Sequence, residues 1–304
     1  MEAIIALFLV LTTLTACAGR APSDGQSAVD LEHSLEEHVV LSEAAPESLT
    51  YQIEIDTYEN AVQADDGTEL VTCRFQYPVM TVFRRDGTAL EQGRTEEERQ
   101  AVTAAEVFNA KFGPATVETE FQDMTDLARE DYAFRQETGL EWPSAYNMEL
   151  DCTVYQTDCM VSVSAAYYSY TGGAHPNTVL LSWNFDLTTG QFFTAEALAT
   201  DGQAFSAAVH EEILRQSRLV AAENDLTAES FFWPNYEEIT AGWSSYAVSF
   251  DEDGMTVGFS PYELAAYVMG SQVYHLTYEQ LIPYLSAHGL DLLGLEGSAG
   301  AAVP

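Results

Sequence analysis

Polar and apolar residues alternate over Tyr51–Asp56 (YQIEID) and Leu70–Phe75 (LVTCRF), the period of half-buried β-strands. Asp65, Asp66 and Gly67 supply turn chemistry between them. The period then changes. Thr95 followed by Glu98 is a capping box, and behind it Ala101, Ala105, Phe108 and Phe112 recur at helical spacing. Gly113 and Pro114 stop that helix, and a second one turns Val117, Phe121, Met124 and Ala128 inward beneath a mostly acidic outer face.

The middle of the chain returns to sheet. Tyr146, Met148, Leu150, Cys152 and Val154 mark one half-buried strand, Cys159–Tyr170 a longer one, and Val179, Leu181, Trp183, Phe185 and Leu187 a third. Short turns separate them, so three antiparallel strands in succession form a meander. A helix follows over about Phe205–Val220, with Phe205, Val209, Ile213 and Val220 as its stripe. Two strands, Ser244–Phe250 and Met255–Phe259, flank Asp251-Glu252-Asp253-Gly254. That run lacks the third acidic ligand and the closing glutamate of a calcium loop and reads as a hairpin turn. Gln272–Leu276 is a further strand, and Thr277 with Gln280 caps a last helix ending near His288 and Gly289. The pattern predicts an α+β fold: an antiparallel β-sheet or meander packed against amphipathic helices.

Charge narrows the partners. Forty-eight Asp and Glu against eleven Lys and Arg leave a formal charge of −37. Binding nucleic acid requires cations to neutralise phosphates, so no nucleic-acid partner is expected, and anionic lipid headgroups are disfavoured for the same reason. A basic protein fits. After Arg218 the chain has no Lys or Arg but twelve Asp or Glu, with aromatic residues crowded among them, including Trp233, Tyr262 and Tyr267.

The N-terminus sets the expected location. Ala3–Thr13 is apolar, as long as a signal-peptide core and too short to span a bilayer. Leu14-Thr15-Ala16-Cys17 resembles the lipobox of bacterial lipoproteins. That resemblance implies removal of residues 1–16, lipidation of Cys17, and a chain held by lipid alone on the outer face of the cytoplasmic membrane. Residues 17–48 read as an acidic tether. His33 and His38 within it are spaced i, i+5, which does not place both on one helix face.

Three further cysteines remain. Cys152 and Cys159 flank a hairpin turn, so a cross-strand disulfide is one option and three buried, inert thiols the other. No Cys-x-x-Cys pair or His/Cys ladder supports a metal, and no cofactor is expected.

His175 stands in the glycine-rich turn Thr171–Asn177 with Asp186 on the next strand. A hydrolase would use His175 as base and Ser169 or Ser182 as nucleophile, but no G-x-S-x-G elbow accompanies either serine. The alternative is that Gly172 and Gly173 shape a tight turn and His175 bonds its backbone. His210-Glu211 fails the HExxH pattern, because position 214 is Leu. No catalytic residue is expected.

Three segments together resemble the extracellular part of the RsiV-type lysozyme-sensing anti-sigma factors. They are Tyr167-Tyr168-Ser169-Tyr170-Thr171-Gly172-Gly173-Ala174-His175, Trp183–Gly190 (WNFDLTTG), and Phe259–Tyr267 (FSPYELAAY) with Gly270. In that family a domain shared with the N-terminus of PdaC-type deacetylases precedes an RsiV C-terminal-like domain. The resemblance implies residues 49–172 and 173–292 for the two, with a flexible tail at 293–304. It also implies an α+β fold and a basic partner such as lysozyme or another wall hydrolase. The contacts expected are the turn with Ser169, Tyr170, Gly172, Gly173 and His175, and the loop with Pro261, Tyr262 and Tyr267. The sigma-binding segment, the transmembrane helix and the Asp-Asp with His-x-x-x-His set of the deacetylases are not in this sequence. The expectation is therefore a sensor module alone on a lipid. An alternative is a wall-directed hydrolase or an accessory module of a wall-modifying system.

Overall fold

Two long strands, β1 (Thr50–Gln63) and β2 (Glu69–Phe83), open the region that the computed structural model describes, residues 49–295. Cys17, the tether and the tail from residue 296 lie outside the described residues. The β1–β2 hairpin turns where expected, with the Asp66 carboxylate accepting the Thr68 N–H. Both strands run further than the alternation predicts. The second half of β2 has no neighbouring strand except β1. Instead, the Asn109 side chain accepts the Met80 N–H at 2.7 Å and donates to the Met80 carbonyl at 2.9 Å. An amide in the next helix thus does the work of a strand.

That helix, α1 (Glu96–Lys111), begins at the predicted capping box, the Thr95 hydroxyl accepting the Glu98 N–H. Helix α2 (Pro114–Thr138) follows, and the chain re-enters the sheet through β3 (Tyr146–Gln156), β4 (Met160–Tyr170), β5 (Asn177–Asp186) and the short β6 (Gln191–Phe193). The six strands lie in the order β1-β2-β3-β4-β5-β6. The meander forms as predicted from β3 to β5 and is extended by β6, but β2 pairs parallel with β3, from Val71 opposite Tyr146 to Phe75 opposite Leu150. Parallel neighbours need a long crossover, and α1 with α2 is that crossover. The boundary expected at 172/173 falls in the turn between β4 and β5, within this one sheet. Helix α1 covers one face, where Phe108 meets Phe185 edge-on at 5.4 Å and Phe112 meets Trp183 at 5.1 Å.

The other face of β4 and β5 carries the three predicted C-terminal strands, in a packing that the pattern did not reveal. After α3 (Gly202–Glu223) and two short helices, α4 (Ala228–Phe231) and α5 (Tyr236–Ala241), the chain forms a second antiparallel sheet. Its strands are β7 (Ala247–Phe250), β8 (Gly254–Phe259) and β9 (Gln272–Thr277), in that order. Ser244 and Ser245, expected as the start of a strand, instead belong to a 3-10 turn over Trp243–Ser245. Strand β7 presents its free edge to the large sheet, and side chains complete its hydrogen bonds. Ser182 accepts the Val248 N–H at 2.6 Å, Asn184 donates to the Val248 carbonyl at 2.8 Å, and Ser162 accepts the Phe250 N–H at 2.8 Å. Ser162 in turn donates to Asn184 at 2.8 Å. Both residues are buried, so every polar group of this seam is paired. Gln216 of α3 does the same for β9, accepting the His275 N–H and donating to its carbonyl.

Helix α3 buries Phe205, Val209 and Ile213 beneath Trp243, Tyr274 and Phe259. The last predicted helix is broken. Helix α6 (Tyr278–Leu281) keeps the Thr277–Gln280 capping box but yields to a 3-10 turn at Ile282–Tyr284, where Pro283 has no N–H to continue it. Ser286 then caps α7 (Ala287–Leu292).

The seam predicts a large cost for a single substitution. Asn184→Leu strands the Val248 carbonyl and the Ser162 hydroxyl, and should lower the unfolding free energy by about 2–4 kcal/mol, read from the urea midpoint at unchanged m-value. A loss under about 0.5 kcal/mol would mean that the network adds nothing. Glu98 predicts an acid response. The Arg84 guanidinium at 2.7 Å, with the backbone N–H groups of Arg94 and Thr95, holds its carboxyl down to about 2. The folded value lies below the unfolded one, so the stabilisation is complete above the ordinary glutamate range near ~4.3 and fades as pH falls towards 2. The gap in urea midpoint between parent and Glu98→Gln should narrow across that window.

Candidate functional site

Strand β4 ends at Tyr170, and Gly172 turns the chain with φ of +75°. A Cβ there would approach Cε1 of the Tyr146 ring to 3.3 Å, so the turn needs glycine for both its backbone and its space. The turn carries His175 out to solvent just before β5 begins. From the small sheet, β8 ends at Phe259 and the chain loops through Pro261 and Tyr262 towards Tyr267.

These two loops meet. The His175 ring stacks on Tyr267 with centroids 3.8 Å apart and planes within 20°. Its Nε2 lies 3.1 Å from the Tyr262 hydroxyl, and the two tyrosine rings are 5.5 Å apart. The tautomer follows from the partners. Nδ1 is 2.8 Å from the Pro176 carbonyl, which can only accept, so Nδ1 carries the proton and Nε2 accepts from Tyr262. Tyr262 is 51% exposed, and Val268 beside Tyr267 is 84% exposed. The result is an outward-facing group of two phenols and an imidazole with an apolar neighbour, a surface suited to flat apolar contact and hydrogen bonding.

The loop that holds Tyr262 is strapped from three sides. Tyr262 has φ of +74°, a conformation costing a non-glycine residue of order 1–3 kcal/mol unless its surroundings impose it. Trp233 donates its indole N–H to the Tyr262 carbonyl at 3.0 Å, and Phe232 bridges to Ala265. The Ser260 hydroxyl accepts the Leu180 N–H of β5 at 3.1 Å, while the Glu263 carboxylate accepts the Ser260 N–H. Burial pushes the Glu263 carboxyl up, and its Ser260 bonds pull against that.

Not every expected residue joins the group. Ser169 and Tyr170 lie on β4 opposite Met148 and Asn147, and neither bonds to or stacks on the His175 trio among the described residues. Pro261 and Gly173 shape the two loops. Asp186 is at the far end of β5, about 30 Å along the strand from His175. There it accepts both the Thr188 hydroxyl and His288 at 3.0 Å, a pairing that nothing in the sequence signals. Ser182 is spent in the seam. His210, which the failed HExxH pattern left without a role, bridges from α3 to the Glu237 carbonyl and Thr240 of α5. The Cys152–Cys159 disulfide does not form: Cys73, Cys152 and Cys159 are all free. Cys152 faces Ala165, well inside the strand pair, whereas Cys159 sits at the turn, so the register keeps them apart. Burial pushes the Cys73 thiol up to about 12 and, with help from Asp151, the Cys152 thiol to about 11.

Residues 65–178 match the protein family described as Deacetylase PdaC. The matched segment is PdaC-like. It spans β2 to β4 with the two crossover helices and takes in His175, whereas Tyr262 and Tyr267 come from outside it. Among solved structures, the chain is similar to a DUF3298 family member from Bacteroides fragilis. The two are 17% identical with a TM-score of 0.51, over 82% of this chain and 98% of that one. A DUF3298 family protein from Pseudomonas aeruginosa is 15% identical, with a TM-score of 0.45 over 79% and 96%. At these identities the likeness concerns the fold. No curated protein matches the chain in sequence.

Gly172 tests the geometry of the PdaC-like part of the site. Gly172→Ala places a Cβ against Tyr146 at positive φ and should cost about 1–2 kcal/mol in urea unfolding. A neutral result would show that the turn is not fixed in this form.

Proposed function

We propose that the chain is a non-catalytic binding module of the bacterial cell envelope, and that the His175–Tyr262–Tyr267 face captures a cationic protein. The resemblance to RsiV-type sensors makes lysozyme, or another basic wall hydrolase, the first candidate. One observation carries the reading: two loops from different sheets bring three rings together at the surface. They do so within stretches of chain, 136–214 and 219–304, that contain no Lys or Arg. Exposed phenols and an imidazole provide contact area, and the surrounding negative charge steers a cationic partner towards them. Binding without chemistry fits the placing of the two candidate nucleophiles: Ser182 is spent in the seam, and the hydroxyl on Nε2 of His175 is that of Tyr262 and not of Ser169. Lipidation of Cys17 would hold the module outside the cytoplasmic membrane.

Membranes from cells expressing the full chain should retain hen-type lysozyme, less so as salt rises, and Cys17→Ser should move the retaining activity to the soluble fraction. Tyr267→Ala, which removes the platform under His175, should weaken binding about tenfold or more. Absence of retention at any salt would end the lysozyme reading, and retention indifferent to salt would end the charge argument. Release of soluble product from peptidoglycan, abolished by His175→Ala, would replace both with a wall hydrolase.

A further inference from the structure

A second concave site shares no residue with the aromatic trio. Helix α3, β9 and α6 enclose a cavity of about 350 Å³, at the lower end of the size range of small-molecule sites. Phe205, Leu276 and Leu281, all buried, form an apolar floor, and Glu211, Arg215 and Arg218 stand along the α3 wall. Arg215 and Arg218 are the only two cationic side chains of the Lys/Arg type between residues 136 and 304. The fold puts both in one cavity.

We infer that this cavity binds a short peptide of two or three residues with free termini and an apolar side chain. The two arginines have different roles. Arg215 is already committed, gripping Glu212 with two bonds of 2.7 Å, and that grip, with Gln216, holds the Glu212 carboxyl down to about 2. The pair is neutral overall and closed to a ligand. Arg218 is exposed and makes no ion pair of 4.0 Å or less among the described residues; its charge is felt by Glu229 and Tyr236 without a bond to either, so its guanidinium fork keeps donors for a ligand carboxylate. Glu211, also exposed, lies seven residues before it. Two helical turns separate them, about 10.5 Å of rise on the same side of α3. An extended peptide advances about 3.3–3.6 Å per residue, so three residues match this span. The ammonium end meets Glu211, the carboxylate end meets Arg218, and a side chain between them reaches the apolar floor. A single amino acid is too short to engage both charges, and a long peptide has no free carboxylate at the right place.

The test uses calorimetric titration of the full chain with alanyl-leucyl-alanine in three forms: free, N-acetylated and C-amidated. The free peptide should bind, and blocking either end should weaken it about fivefold. Arg218→Gln should weaken the free and acetylated peptides by about the same factor yet leave the amidated one unchanged. Glu211→Gln should weaken the free and amidated peptides and spare the acetylated one. Both residues are exposed, and circular dichroism confirms that the variants stay folded. No binding of the free peptide at millimolar concentration overturns the inference, as does binding that ignores both substitutions. Neither result bears on the capture of a basic protein by the trio.

Discussion

Unpaired backbone at strand edges is the constraint on which this architecture turns. A three-stranded sheet has two open edges, and the long β2 runs past the end of its neighbour. Each exposed N–H and C=O that is buried without a partner costs free energy comparable to a lost hydrogen bond. The chain meets that demand with side chains in place of further strands: Asn109 on β2, Gln216 on β9, and Ser162, Ser182 and Asn184 on β7. All are neutral groups that donate and accept at once, or accept alone, so they imitate the backbone without bringing charge into the interior.

The seam also explains why the aromatic trio exists. Strands β5 and β8 belong to different sheets, and the loops at their ends would be unrelated if the sheets were free to slide. Bonds from Ser182 and Asn184 to β7, and from Leu180 to Ser260, fix the two sheets in register. His175 and Tyr262 are then brought to 3.1 Å although 87 residues separate them. Their face is assembled by the scaffold.

Much of the scaffold could be read from the sequence because its signals are local. The Thr95 and Thr277 capping boxes, the Asp66 and Asp251 turns and the stripe of α3 depend on neighbours a few residues away. The parallel pairing of β2 with β3 and the packing of the second sheet on the first could not be read, because both depend on contacts between distant segments. Ser162, Ser182 and Asn184 are polar positions that alternation assigns to solvent, yet they face the second sheet. The glycine-rich turn and the Tyr262 loop could each be singled out in the sequence, but not that they meet one another. The pairing of Asp186 with His288 was not, since it joins the end of a strand to a helix that the periodicity itself misplaced.

The free thiols have a consequence for how the molecule is made. With Cys73 held near 12 and Cys152 near 11, only about one molecule in ten thousand or fewer carries either sulfur as thiolate at neutral pH. Sulfur in that state neither attacks a disulfide donor nor is readily trapped by one. The described fold contains no disulfide, so none has to be formed or reshuffled for it to be reached.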